Sequence, residues 1–102
     1  MGQYVQIVPV KFQTASVVAG TPVYLDTQSF PFPITVVAKP GAGTLLVEYS
    51  ITPYAAGKTT SANWIQWPSG NVASITSDYL KSPVSALRFT ATTADGTYEV
   101  AA

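Results

Sequence analysis

Residues 44–51 read Thr-Leu-Leu-Val-Glu-Tyr-Ser-Ile, and the alternation in this stretch decides the predicted fold. Every second side chain is apolar or aromatic and shares one face of an extended chain: Leu45, Val47, Tyr49 and Ile51. The other face carries Leu46, Glu48 and Ser50. A period of two is that of a β-strand with one buried face, so we predict a central strand here.

A second long alternation occupies Val84–Thr93. Leu87, Phe89 and Ala91 share one face, and the other face carries Arg88, Thr90 and Thr92. Because two such strands can bury their apolar faces together, we expect one core around residues from both. The residues predicted at its heart, together with one of the two tryptophans, are Leu45, Val47, Tyr49, Leu87 and Phe89.

Turn residues divide the rest of the chain. Eight prolines and seven glycines recur at short intervals, and the segments between them favour β-branched and aromatic residues. This pattern predicts an all-β fold, a single antiparallel β-sandwich or flattened barrel of about seven or eight strands, with residues 1–102 as one domain. The further predicted strands are Tyr4–Phe12, Ala15–Ala19, Val23–Leu25, Ile34–Ala38, Trp64–Trp67, Val72–Thr76 and Tyr98–Ala101. Residues 1–12 could also serve as an extended N-terminal strand or arm that lies on a neighbouring subunit.

The connections between these strands carry their own predictions. Asp95-Gly96 favours a type I′ hairpin that joins Val84–Thr93 to Tyr98–Ala101. Residues Pro68–Asn71 predict a second hairpin turn, and Lys39–Gly43 predict another strong turn. Three segments are predicted to be irregular: the proline-rich Phe30–Pro33, the long Pro53–Asn63 and the polar Ser77–Pro83.

Charge is sparse in this sequence. Charged residues make up 10% of the chain, apolar residues 47%, and the formal net charge is zero. Nucleic-acid binding needs converging Lys and Arg side chains, which scattered single charges do not supply. The composition favours a subunit whose surface is covered in an assembly; the alternative is a small domain that is hydrated through its Ser and Thr hydroxyls. No apolar run is long enough for a membrane span, and Met1–Phe12 has no basic segment typical of an export signal.

The residue types needed for catalysis are scarce. Histidine and cysteine are absent, which excludes thiolate metal sites and the commonest general base. Glu48 and Glu99 fall on separate predicted strands, and Asp26, Asp78 and Asp95 fall at predicted turns, where carboxylates bond to backbone N–H groups. Residues 41–43 are not followed by a phosphate-loop signature. We therefore predict that the protein is not an enzyme and has no catalytic, cofactor-binding or metal-binding residues.

Trp64 and Trp67 are the pair with a functional argument. Positions three apart on a strand lie on opposite faces, so at most one tryptophan can enter the core. The other could cover a sheet edge against Pro68, belong to a protein interface, or act with Tyr54 or Tyr79 as a stacking platform for a sugar ring. The sequence leaves all three interpretations open.

The second half of the chain resembles small structural proteins of tailed bacteriophages. The resemblance covers about Val47 to Val100 and rests on strand and turn motifs: Val47-Glu48-Tyr49-Ser50, Ala62-Asn63-Trp64, Trp67-Pro68-Ser69-Gly70, Thr76-Ser77-Asp78, Pro83-Val84-Ser85-Ala86-Leu87-Arg88 and Asp95-Gly96-Thr97. It implies a β-sandwich in the virion, assembled in the host cytoplasm, of the capsid decoration (cement) or head or tail accessory type. Its implied partners are the major capsid protein or another virion protein and further copies of itself, with a trimer favoured and with no cofactor, nucleic acid or membrane.

Two other functions remain as alternatives. One is a carbohydrate- or receptor-binding β module of a tail tip or fibre, which would use Trp64 or Trp67 with a tyrosine. The other is a protein-interaction domain of no fixed assembly.

Overall fold

The computed structural model describes residues 11–52 and 63–102. These residues form eight β-strands and no helix. The strands are β1 Phe12–Val17, β2 Val23–Asp26, β3 Ile34–Pro40, β4 Thr44–Ser50, β5 Ile65–Val72, β6 Thr76–Leu80, β7 Ala86–Thr92 and β8 Gly96–Ala101.

The strands divide into two four-stranded antiparallel sheets that pack face to face. Sheet A has the order β1-β8-β3-β6, and sheet B has the order β2-β7-β4-β5. Only β4 and β5 are consecutive neighbours in one sheet, so every other connection passes from one sheet to the other. The predicted antiparallel β-sandwich is confirmed.

The core lies between the two sheets and contains the inward side chains of both. Leu45, Val47, Leu87 and Phe89 are fully buried, as the alternation of β4 and β7 predicts. Tyr49 is partly buried against them, and Trp67 is the tryptophan that enters the core. Burial of each such side chain contributes about 1.5–3 kcal/mol, so this layer is the main stabilising feature of the fold.

The predicted hairpin at Asp95-Gly96 is wrong. β7 pairs with β2 and β4 in sheet B, whereas β8 pairs with β1 and β3 in sheet A. Both strands carry an apolar face, and the two faces are buried against each other across the sandwich. The segment between them is therefore a corner between the sheets, and its positive φ value of 68° belongs to Thr93.

The turn predicted at Lys39–Gly43 is present, and it too crosses between the sheets. A Cβ atom added to Gly43 would overlap the backbone carbonyl of Thr92, and one added to Gly41 would overlap the carbonyl of Asp95. The β3–β4 corner therefore packs directly on the β7–β8 corner, and glycine permits this close approach of the two backbones.

The hairpin turn predicted at Pro68–Asn71 is also wrong, because these residues belong to β5. Leu46 faces Asn71 and Glu48 faces Gln66, so residues 67–70 bulge opposite Val47. Gly70 has a φ of 72°, and the indole N–H of Trp67 donates a hydrogen bond to its carbonyl. Because the bulge changes the direction of the side chains, the simple alternation of the sequence does not describe this strand.

Other boundaries differ at the ends of the strands. Phe12 begins β1, and Lys11 lies directly before it. The other residues of the predicted strand Tyr4–Phe12 lie outside the described residues, as does nearly all of Pro53–Asn63. Ser77–Pro83 was predicted as a connection, but most of it belongs to β6, which pairs with β3 along Thr76–Leu80. Phe30–Pro33 is irregular as predicted, with a cis Phe32–Pro33 peptide bond.

Candidate binding surfaces

A row of polar and aromatic side chains crosses the outer face of sheet B. Tyr24 of β2 lies beside Arg88 of β7, Arg88 beside Glu48 of β4, and Glu48 beside Gln66 of β5. The side chains of all four residues point to the outer face, and the residues next to them along each strand point to the inner face. Trp64, the residue before β5, completes this group, which we call the Trp64 cluster.

Arg88 is at the centre of the Trp64 cluster. Its Nε lies 2.8 Å and its Nη2 2.6 Å from Oε1 of Glu48, and the two side chains are only 25% and 15% exposed. The guanidinium carbon is 4.7 Å from the centroid of the Trp64 ring, a distance typical of a cation–π contact. Tyr24 contacts the same indole, with centroids 5.7 Å apart and planes inclined by 51°.

The two tryptophans thus have different environments. Trp67 is 2% exposed and belongs to the core, whereas Trp64 is half-buried on the outside of sheet B. Tyr79, one predicted neighbour of the outer tryptophan, lies in β6 of the other sheet, and Tyr54 lies outside the described residues. The aromatic neighbour of Trp64 is instead Tyr24. The alternation of Tyr24 with Val23 and Leu25 is a sequence signal for an outer face, but no sequence signal indicates which strands lie beside β2.

An apolar groove of about 590 Å³ opens between the edge strands β5 and β6. Its walls include Tyr49, Ile51, Ile65, Pro68, Tyr79 and Leu80. Ile51 is 66% exposed, Ile65 46% and Tyr79 53%, so the groove presents apolar surface directly to solvent. A surface of this kind gains free energy when another apolar group covers it.

Asp78 joins the two strands that border this groove. Its Oδ2 accepts a hydrogen bond of 2.7 Å from the Ser69 hydroxyl of β5, and its Oδ1 accepts one of 2.8 Å from the Tyr79 N–H of β6. The carboxylate therefore bridges the edges of sheets A and B and is already provided with donors.

The charged side chains elsewhere are similarly engaged. Lys39 Nζ lies 2.7 Å from Glu99, Asp26 accepts from the Gln28 N–H, and Asp95 accepts from the Ala19 N–H. Lys11 and Lys81 lie 6.0 Å and 5.5 Å from the rings of Phe30 and Tyr79. With Glu48, Asp78 and Arg88, these are all nine charged residues in the described parts of the chain.

The two glutamates predicted on separate strands are not brought together by the fold. Glu48 and Glu99 lie in different sheets, and each has its own cation. Within residues 11–52 and 63–102, no group of three or more His, Cys, Asp or Glu side chains is placed to hold a metal ion. In the same residues, no helix is long and apolar enough to cross a membrane.

Comparison of the chain with protein-family models, with curated proteins and with solved structures gives no match. The class that the described residues define is therefore that of an antiparallel β-sandwich. The surface of the described residues carries the Trp64 cluster and the apolar groove between β5 and β6.

Proposed function

We propose that this chain is a non-enzymatic structural protein that attaches to the outside of a protein shell. More specifically, we propose a capsid decoration protein of a tailed bacteriophage, the type that the resemblance of Val47–Val100 implies. The observation that supports this function is the nature of the surface. Of the nine charged residues in the described parts of the chain, four form ion pairs with each other. Six large apolar side chains of the same parts are exposed: Phe12, Val18, Ile51, Ile65, Ile75 and Tyr79.

Such a surface suits lasting contact with other proteins. Exposed apolar groups in a small domain are costly unless a partner covers them, and the core of a protein interface is poor in charge. The proposed partners are the major capsid protein, or another virion protein, and further copies of this chain. Contact areas near 800 Å² per partner would hold it on the particle.

The groove between β5 and β6 is the proposed seat for an apolar side chain of the shell protein. Ile65 borders it and is nearly half exposed, so Ile65→Lys would place a charge in the contact with little effect on the core. Ile75→Lys is the matched control, because Ile75 is 71% exposed in the turn between β5 and β6 and does not line the groove.

The experiment counts copies on purified virus particles by quantitative mass spectrometry. Wild-type protein is expected in hundreds of copies per particle, Ile75→Lys in similar numbers, and Ile65→Lys in strongly reduced numbers. Absence of the chain from particles would overturn the proposed function. Equal occupancy by both variants would overturn the groove as the seat.

The Trp64 cluster favours a second candidate, a carbohydrate- or receptor-binding module of a tail tip or fibre. An indole next to a tyrosine and an Arg–Glu pair offers a stacking surface with hydrogen-bonding groups beside it. This function predicts a handful of copies per particle and glycan binding that Trp64→Ala abolishes. Tyr79→Ala, which removes an exposed ring outside the cluster, should leave glycan binding intact.

A further inference from the structure

Among the described residues, the outer edge of β1 is an unpaired end of sheet A. β1 pairs with β8 on one side, and no other described strand pairs with it. Its sequence, Phe-Gln-Thr-Ala-Ser-Val, contains neither a charged residue nor proline, the two commonest means of blocking a sheet edge. Unpaired backbone groups on such an edge are a template for another strand.

The hydrogen-bond pattern shows which residues of β1 face outward. Lys11 and Ala102 exchange both backbone hydrogen bonds, each 3.0 Å long. In an antiparallel pair the bonded positions alternate, so Gln13, Ala15 and Val17 bond to β8. The N–H and C=O groups of Phe12, Thr14 and Ser16 therefore point to the open edge.

The other edges of the two sheets differ from this one. At β6, the opposite edge of sheet A, Asp78 takes the N–H of Tyr79 and ties the strand to Ser69. At β5 the bulge of residues 67–70 interrupts the ladder, and β2 is only four residues long and ends on Asp26. Each of these edges carries a feature that hinders a new strand, whereas residues Phe12–Val17 of β1 contain no charge, proline or bulge.

We propose that the β1 edge pairs with β1 of a second copy of this chain around a two-fold axis at Thr14. Antiparallel pairing then sets Phe12 opposite Ser16 of the other copy and Thr14 opposite Thr14. Every outward N–H and C=O of these three residues gains a partner, and the two four-stranded sheets become one of eight strands. This inference adds to the proposed function by naming a surface for self-association, and it proposes a two-fold pair in place of the trimer that the resemblance favours.

The exposed side chains near β1 indicate a second copy as the occupant. Phe12 is 58% exposed and Val18 is 53% exposed. Both are an even number of residues from Thr14, so the alternation of the strand places their side chains on the outer face with that of Thr14. In the two-fold register, Phe12 of one copy lies diagonally next to Val18 of the other, within the reach of an aromatic side chain. The symmetry repeats this contact, so the two exposed apolar groups at the ends of β1 cover each other.

Charge is also complementary in this register. Lys11 comes opposite Val17 of the second copy, beside the corner where the exposed Asp95 accepts a hydrogen bond from Ala19. The two copies of Lys11 lie at opposite ends of the paired strands, about 20 Å apart along the chain direction, so they do not repel each other strongly.

Analytical ultracentrifugation of the full chain over a range of concentrations tests the pairing. A six-residue strand pair is a small interface, so we expect a dimer of twice the 10.8 kDa chain mass with a dissociation constant of about 10–100 µM. Thr14→Lys sets like charges against each other at the axis and should weaken the dimer at least about fivefold at low salt. Ser77→Lys, on the opposite edge of sheet A, is the matched control and should leave the dimer unchanged.

A charge exchange tests the register itself. Phe12→Lys combined with Ser16→Glu places opposite charges in register, whereas Phe12→Lys combined with Ser16→Lys places like charges there. The first combination should dimerise more tightly than the second, and circular dichroism checks that both variants are folded. A monomer at millimolar concentration, a trimer, or equal behaviour of the two combinations would overturn the proposal. Because the isolated chain is used, this failure is distinguishable from a failure to bind virus particles.

Discussion

Phe89 and Tyr98 stack face to face across the sandwich, with ring centroids 3.9 Å apart and planes inclined by only 4°. Phe89 lies in β7 of sheet B and Tyr98 in β8 of sheet A, and both are buried. The pair therefore joins the two sheets at the centre of the core, and β7 and β8, consecutive in sequence, contact each other through side chains and not through a hydrogen-bonded ladder.

Loss of one ring of this pair should destabilise the whole domain. Phe89→Ala removes a fully buried aromatic side chain and leaves a cavity, which we expect to lower the free energy of unfolding by about 3–5 kcal/mol. Urea denaturation followed by circular dichroism measures the change. Tyr79→Ala, at a ring that is half exposed, is the control and should cost about 1 kcal/mol or less. An unchanged midpoint for Phe89→Ala would contradict the placement of Phe89 in the core.

Tyr98 predicts a dependence of stability on alkaline pH. Burial raises the pKa of its phenol above the ordinary value of 10.0, although a hydrogen bond with Gln13 lowers it in part. The folded state thus favours the neutral phenol, and its contribution is fully present below pH 10 and is lost as the pH rises beyond the unfolded-state pKa. Above pH 10, the free energy of unfolding of the wild type should therefore fall more steeply than that of Tyr98→Phe, which has no phenol at this position. Parallel slopes in urea titrations between pH 9 and 11 would contradict this prediction.

The parts of the fold that followed from the sequence are those in which the period of two is unbroken. Burial alternates over Leu45–Val47 of β4 and over Leu87–Ala91 of β7, so Leu45, Val47, Leu87 and Phe89 could be assigned to the core. The alternation fails at the end of β4, where Ser50 is buried and Ile51, predicted on the buried face, is 66% exposed. Strand pairing was harder to predict. A strand with one apolar face can pair with the next strand in the same sheet, or it can pack against that strand from the opposite sheet. Asp95-Gly96 has the residues of a tight hairpin, but burial of Phe89 against Tyr98 requires the strands to face each other.

The candidate surfaces depend on strand order and on local irregularities, and the alternation of apolar and polar residues predicts neither. The parity of Tyr24 and Arg88 indicates an outer face, yet their contact with Trp64 depends on β2 lying beside β7, which is a matter of strand order. The indole N–H of Trp67 bonds to the carbonyl of Gly70, a contact made possible by the bulge with its one positive φ value. Such features arise from tertiary contacts and not from local periodicity.

The bulge supplies a test of its own. Gly70→Ala should lower the free energy of unfolding by about 1–2 kcal/mol, because an L-residue is strained at a φ of 72°. Gly70→Asn should cost less, since asparagine tolerates this region better. The added Cβ would meet only the side-chain amide of Gln66, which can move, so the cost is mainly that of the backbone. Thermal unfolding measures both variants, and an equal loss in the two would contradict a backbone origin.

The Arg88–Glu48 pair should be coupled in stability. Arg88→Met keeps much of the apolar stem but leaves the largely buried Glu48 carboxylate without its cation, and we expect a loss of about 1–3 kcal/mol. Combining it with Glu48→Gln should recover part of this loss, because the unpaired charge is then removed. Urea denaturation of the two single variants and the double variant forms a double-mutant cycle. Additive losses would show that the two side chains are not coupled.

Attachment to virus particles should resist salt if the proposed function is right. The described charges are few and scattered, and four of the nine form ion pairs within the chain, so we expect contact with a shell protein to rest mainly on hydrogen bonds and on apolar groups such as those of the β5–β6 groove. At 1 M salt, charge pairs are screened beyond about 3 Å, whereas apolar contacts are not weakened. Washing purified particles in molar sodium chloride and counting the bound copies by mass spectrometry should therefore show occupancy close to that at low salt. Full release would mean that the chain is held by charge pairs, which contradicts the apolar contact proposed for this surface.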